Sequence, residues 1–455
     1  MKFLLNTFIL SSLIWGFSGC MVGPKYQRPE TNQAASFSRD AGAISMKDSV
    51  TSLQWSALFT DPVLQSLIDS GIRRNYDLKK ATARIEQAGA NYGIAVSQLF
   101  PSLFYQVQGS HSINNSVTRS NYFIGPGMSW EIDIWGKIRH ARNAALDDLL
   151  ASEAGRRAVH CALVASVADG YYRLRDFDKR LAVSRATYES RNAGYILLEE
   201  RYKKGYISEW DLLQGKQLLD DAEASISIYT RAVTVTQNYL CYLIAMPPGE
   251  LPRGLSNTDQ PVMPIIPAGL PSTLLSQRPD LKQAEYVYMR ETERIGVALA
   301  QRLPTLSLTV AGGLSNPELS GLLGSGALGV SITEGLLGPL FEFGRNKRRV
   351  TAQMKSAEIA AFDYRQIYLK SLVEVENALV SIETLNKELN ARQRMLTAAR
   401  QALDLSRARY ESGYTSYLEL MDAERSLFEM EVLVSSVRQQ QLSAYVELYR
   451  ALGGG

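Results

Sequence analysis

Glu419 and Asp422 stand three positions apart in a run of helical periodicity, so they share one helix face. Such a pair can attract cations, and it reads equally as a solvated face. The equivalent places 208 residues earlier hold Asp211 and Gln214, so only the first acid is repeated. Two basic clusters, Lys137, Arg139 and Arg142, then Arg345, Lys347, Arg348 and Arg349, each follow a strand-like stretch and open a long helical one. Cations at a helix start oppose the helix dipole. Local helix stability therefore does not explain them, whereas contact with lipid phosphates or a solvated collar would. Signs of catalysis are lacking. The histidines, His111, His140 and His160, have no metal-binding spacing, and no cysteines are paired in sequence. Residues 324–329 fit G-x-G-x-x-G, but they lead from a loop into a strand pattern rather than from a strand into a helix. No enzyme activity and no cofactor is expected.

The N-terminus carries a different chemistry. Met1 and Lys2 precede an apolar segment, Phe3 to Phe17, and then Ser18, Gly19 and Cys20. This is a signal peptide, residues 1–19. Its end resembles the bacterial lipobox, with Phe17 in place of the usual leucine, so Cys20 is the expected site of acylation. Each buried CH₂ of an acyl chain contributes about 0.8 kcal/mol to membrane binding. By the same resemblance, Met21 in the second mature position points to the outer membrane. The other cysteines, Cys161 and Cys241, fall on helices that pair about a turn near residue 206. They are then about 11 residues out of register, roughly 16 Å along the axis, too far for a disulfide.

The charge balance, 49 lysines and arginines against 46 acidic residues, gives no reason to expect a nucleic-acid partner. Beyond the signal peptide no uncharged apolar run reaches the roughly 18 residues of a membrane helix. What does organise the chain is a repeat. Arg201 to Ser208 is echoed by Arg409 to Ser416, and Trp135-Gly136-Lys137 by Phe343-Gly344-Arg345, both at an offset of 208. Upstream, Asp77-Leu78-Lys79 and Pro101 match Asp280-Leu281-Lys282 and Pro304 at an offset of 203, which requires a five-residue insertion between Pro304 and Gly344. The expected organisation is a lipidated segment over 20–55, a first repeat over 56–246, a proline-rich connection over 247–271 and a second repeat over 272–455. A short helix is expected around Ser272 to Gln277.

Each repeat changes period in the same order. Alternation at Leu103, Tyr105, Val107 and at Met128, Trp130, Ile132 predicts one strand pair, with a polar loop over 112–120. Leu306, Leu308, Val310 and Leu328, Val330, Ile332 predict the other, with a glycine-rich loop over 312–326. Apolar residues then recur every seven positions, as in Val167, Leu174, Leu181 and in Val375, Ile382, Leu389, the spacing of helices that supercoil around neighbours. Each first helix runs about 65 residues, on the order of 100 Å. After glycine turns at Gly205, Tyr206, Ile207, Ser208 and at Gly413, Tyr414, Thr415, Ser416, a second helix returns. Amphipathic strands of this length cross a bilayer when tilted. Four cannot close a barrel, which needs about eight, and open edges are not tolerated in lipid. Several copies of the chain must share the sheet.

Motifs spread over nearly the whole mature chain resemble the TolC-like family of outer-membrane efflux factors, in its lipoprotein subgroup serving resistance-nodulation-division systems. They are the start Cys20 to Pro29, Leu58-Phe59-Thr60-Asp61-Pro62, Trp130 to Lys137, Leu270 to Asp280, Tyr417 to Leu427 and Leu448 to Gly455. The resemblance implies a mainly α fold with β strands: a homotrimer whose outer-membrane barrel, four strands per chain, continues into a periplasmic helical barrel. It implies a passive exit duct opened by a periplasmic adaptor and an inner-membrane transporter. The two turns would be the docking tips, Asp422 and Glu419 would form acidic rings at the constriction, and Tyr410 could add a gate hydrogen bond, although a tyrosine at a heptad position also serves plain packing. An exit duct for type I protein secretion and a non-conducting coiled-coil tether remain as alternatives. The lipobox and leader favour efflux over the first, and the strand pairs argue against the second.

Overall fold

The computed structural model describes residues 21–30, 55–114, 117–261 and 278–454. The expected signal peptide, the acylation site Cys20 and the short helix expected around Ser272 to Gln277 lie outside the described residues. Cys161 and Cys241 are both free and buried.

The duplication is present element by element. A short helix α1 (Trp55–Leu58) and α2 (Pro62–Arg74) lead into the first repeat: α3 (Tyr76–Ser97), β1 (Ser102–Asn114), β2 (Val117–Ile132), α4 (Lys137–Lys203) and α5 (Glu209–Leu243). The second comprises α6 (Pro279–Ala300), β3 (Thr305–Asn316), β4 (Leu328–Leu337), α7 (Arg345–Glu411) and α8 (Tyr417–Ala451). Helices α4 and α7 have 67 residues each, and α5 and α8 have 35 each. Among the described residues no helix is long and apolar enough to cross a membrane.

The four strands form one antiparallel sheet in the order β1-β2-β3-β4. The polar stretch expected as a loop over 112–120 is mostly strand: Ile113 pairs with Thr118 and Asn114 with Val117. Alternation of hydrophobicity fades there, yet β-branched residues still favour the extended backbone, so the strands outrun their apolar pattern. The glycine-rich stretch is likewise strand as far as Asn316, followed by a single 3₁₀ turn at Leu319–Gly321. The five-residue insertion is divided rather than confined to one loop. The first hairpin spans 102–132 and the second 305–337, two residues more. The link to the following helix is 133–136 in one repeat and 338–344 in the other, three residues more. Beside Pro126, strands β2 and β3 approach so closely that a Cβ on Gly125 would clash with the Gly312 carbonyl oxygen. One apolar row of β1 and one of β4 are exposed, Tyr105 at 88% and Leu328 at 79%.

The chain divides into two compact units, each drawing on both repeats: residues 1–31, 82–155 and 282–367, and residues 32–81, 156–281 and 368–455. In the first unit the segment after Cys20 lies along α6. Arg28 pairs with both oxygens of Glu285, at 2.8 and 2.7 Å, and Tyr26 donates to the same carboxylate. Burial alone would raise the Glu285 pKa, but these bonds outweigh it and hold it below the ordinary carboxylate value. Trp135 donates its indole N–H to Pro304 O at 2.8 Å, and His140 lies 2.6 Å from Glu293.

The second unit has the main apolar core, in which the seven-residue series is buried at Val167, Leu174 and Val375. Its polar centre is Asp61, fully buried at the start of α2. One carboxylate oxygen accepts from Val63 N, capping the helix, and the other accepts from Tyr171 Oη (2.8 Å), Leu255 N (2.9 Å) and Gln260 Nε2 (3.0 Å). This explains the Phe-Thr-Asp-Pro sequence: the acid caps and Pro62 suits the first helical position. Gln441, which interrupts the apolar series of α8, is buried and bonded to Asn386 and Arg438. Arg438 in turn donates to the carbonyls of Asn257 and Gln260. Asp61→Ala should destabilise the purified protein by about 3 kcal/mol or more, since it orphans several buried donors, whereas Tyr171→Phe should cost about 1 kcal/mol. Chemical denaturation in detergent measures both, and equal, small effects would contradict the central role of Asp61.

Candidate functional site

The two turns are copies of one backbone device. Gly205 and Gly413 hold φ of +74° and +78°, where glycine is favoured. Tyr206 N donates back to Arg201 O and Tyr414 N to Arg409 O, both at 2.9 Å, the six-to-one bond of a Schellman end. Tyr206 and Tyr414 project, 77% and 80% exposed, while Ile207 and Thr415 are half-buried. The helices that leave the turns begin differently. Ser208 and Asp211 form a reciprocal capping box at the start of α5. Ser416 and Glu419 have the same spacing, yet the Ser416 side chain makes no capping bond. Glu419 is drawn instead to the Thr415 hydroxyl and to Arg409, 3.7 Å away.

Each expected constriction residue therefore has a partner in its own chain. Asp422 pairs with Arg425 at 2.9 Å, both more than half exposed. Tyr410 accepts a hydrogen bond from Arg201 of the first repeat, whose guanidinium also lies over the Tyr410 ring at 5.2 Å. The Tyr410 and Tyr417 rings meet edge to face at 5.3 Å. Burial, and then the charge of Glu424, pushes the Tyr417 hydroxyl up to about 12. The Glu424 carboxyl is itself raised, by burial above all, with Arg407 and Arg191 opposing. Arg191 is 3% exposed, donates to Leu218 O at 2.6 Å and reaches Asp221 at 3.2 Å. Spacing in the sequence assigns no role to the side chains of Arg201, Arg191 and Glu424. Only Arg201 left a signal there, because its Arg-Tyr pair precedes each glycine turn.

The basic clusters divide by repeat. Lys137 pairs with Glu131 at 2.5 Å and Arg139 with Asp133 at 3.1 Å. Asp133 also accepts from the backbone of Ile138 and Arg139, which offsets the unfavourable cations at the start of α4. Arg142 bonds its neighbour Asn143. In the second repeat Arg345 pairs with Glu342, and Arg349 bonds Gln301 and Asn346. Arg345, Lys347, Arg348 and Arg349 are all exposed.

A duplicated unit of one strand pair and two long helices has clear relatives. Residues 67–245 and 270–454 match the family described as outer membrane efflux protein. The chain belongs to that family. It is 30% identical to the solvent efflux pump outer membrane protein SrpC of Pseudomonas putida, over 96% of both chains. It is 31% identical to the outer membrane protein OprJ of Pseudomonas aeruginosa, over 96% of this chain and 93% of that one. Among solved structures it resembles the open state of the Neisseria gonorrhoeae MtrE outer membrane channel, with a TM-score of 0.87 and 30% identity over 96% of this chain and 98% of that chain. It is thus an outer-membrane efflux component, of the TolC-like fold, with its helices in the periplasm.

The unequal caps make a local difference measurable. Ser208→Ala should weaken the first turn of α5 by about 1 kcal/mol, raising hydrogen exchange at residues 209–212 roughly fivefold. Ser416→Ala should change residues 417–420 by a few tenths of a kcal/mol at most. Equal effects at the two turns would contradict the asymmetry.

Proposed function

We propose that this efflux protein works as a trimeric, passive exit duct, anchored by acyl chains on Cys20 and opened when a periplasmic adaptor and an inner-membrane transporter engage its tips. The observation that carries it is the four-stranded sheet with two unpaired edges and exposed apolar rows, joined directly to helices of 67 residues. Three chains supply twelve strands, enough for a barrel with an open lumen. Residues 205–208 and 413–416 are the docking tips, since both turns project tyrosines and carry no core.

Closure is the work of the second hairpin. Asp422 and Glu419, repeated around the axis, form acidic rings that draw cations and repel anions. Arg425 and Arg409 temper those charges, so opening must break ion pairs as well as move helices. The Arg201–Tyr410 contact ties the two hairpins of one chain and holds the closed state. At the barrel base the exposed cations of the second repeat, Lys347 and Arg349 foremost, face lipid phosphates, while Lys137 and Arg139 are neutralised within the chain. The duct needs no cofactor and carries no catalytic step.

Single-channel recording in planar bilayers tests this. The full chain should conduct weakly, and Tyr410→Phe combined with Arg201→Ala should raise open probability. Asp422→Asn should lower cation-over-anion permeability roughly fivefold, the worth of about 1 kcal/mol at the constriction. No conductance from any of these variants would leave a non-conducting tether as the better account.

A further inference from the structure

In a duplicated chain, the contact that the end of the first repeat makes with the start of the second has a counterpart that one chain cannot form. The contact that is formed lies in the first unit. Pairing of β2 with β3 sets Ile132 opposite Leu306 and so brings Trp135 to the corner where α6 turns into β3, with its indole N–H on Pro304 O. Five residues on, the His140 ring lies against Gly296, where a Cβ would come within 2.5 Å of the ring. His140 is buried and Gly296 is packed beneath it.

The offset of 208 carries Trp135, Gly136 and His140 to Phe343, Gly344 and Arg348, and the offset of 203 carries Pro304 and Gly296 to Pro101 and Gly93. At each counterpart the chain is bare. Phe343 is 82% exposed and stacks edgewise on exposed Phe341 at 4.6 Å. Phe100, beside Pro101, is 65% exposed. A Cβ on Gly93 would meet nothing within 4 Å. Glycine inside a helix costs about 1 kcal/mol relative to alanine. At Gly296 the His140 ring accounts for it; at Gly93 nothing among the described residues does. Phe343 also holds φ at +49°, a strained backbone for an aromatic residue, which Trp135 does not share.

We propose that the exit of the second repeat docks on the α3–β1 corner of a second copy, as the first repeat's exit docks on the α6–β3 corner within the chain. Phe343, with Phe341, seats against Pro101 and Phe100 of the next copy, and Arg348 lies over its Gly93. Antiparallel pairing of β4 with the next β1 brings these groups together, just as β2–β3 pairing brings Trp135 to Pro304. The two junctions differ in chemistry. Phenylalanine has no indole N–H to donate, so the junction between copies is an apolar clasp closed by one guanidinium. Arg348 thereby leaves the lipid-facing collar and becomes a contact between copies. The proposal rests on the multi-copy duct described above.

The test is disulfide trapping in full-length protein in outer membranes. Gly93→Cys with Arg348→Cys should give a ladder of linked chains ending at three on a non-reducing gel, with no ladder from either single variant. Gly296→Cys with His140→Cys should link only within a chain and serves as the control for geometry. No ladder, while the control pair closes and a lysine-reactive cross-linker still traps the oligomer, overturns the docking and leaves the duct intact. If the cross-linker traps no oligomer of the unaltered chain, the duct reading fails and the docking falls with it. Gly93→Phe, which fills the seat, should at least halve the detergent-resistant oligomer without changing helix content; an unchanged oligomer would also overturn the proposal.

Discussion

A backbone amide in lipid must have a partner, and among the described residues of one chain no strand pairs with the outer edges of β1 and β4. The rest of the molecule is built around that constraint. The edges must be satisfied by other copies, so the sheet becomes one sector of a barrel. Each sector ends in helices that begin within a few residues of the last strand pair, at Lys137 and Arg345. In the proposed trimer, helices that continue from a ring of strands form a ring as well, and their seven-residue apolar spacing lets neighbours supercoil. A wall of this kind has a lumen because its parts meet edge to edge.

Duplication sets how evenly that ring is built. The two repeats match exchangeably in helix length, and their turns close with the same backbone bonds. They differ where only one copy of a feature can exist. The N-terminal segment, held by Arg28 and Tyr26 on Glu285, lies along α6, and among the described residues α3 carries no such segment. Asp133 caps α4, whereas the position equivalent to it in the second repeat is Phe341. Ser208 caps α5, whereas Ser416 leaves α8 uncapped. The second hairpin therefore has the looser cap of the two, and it alone carries the Glu419–Asp422 pair.

Much of this was legible in the residues. Long proline-free stretches with apolar spacing of seven gave both long helices within a few residues of their true ends, because period and punctuation agree there. Strand ends were less legible. Towards the β1–β2 turn most residue types are polar, with Ile113 and Val117 isolated among them, and alternation no longer distinguishes strand from loop. The candidate gate was legible only as single residues. Its partners, Arg201 for Tyr410 and Arg425 for Asp422, depend on side-chain reach between and along helices, which spacing alone does not specify. Ser416 and Glu419 show the same limit. Their spacing is that of a capping box, but Arg409 and Thr415 compete for the carboxylate and the box does not form.

Several copies of the chain must close the sheet. Native mass spectrometry of the full-length protein released from lipid nanodiscs counts them directly. A single species of three chains, twelve strands in all, is the predicted result. A stable monomer in lipid, its edges unpaired, would contradict the account.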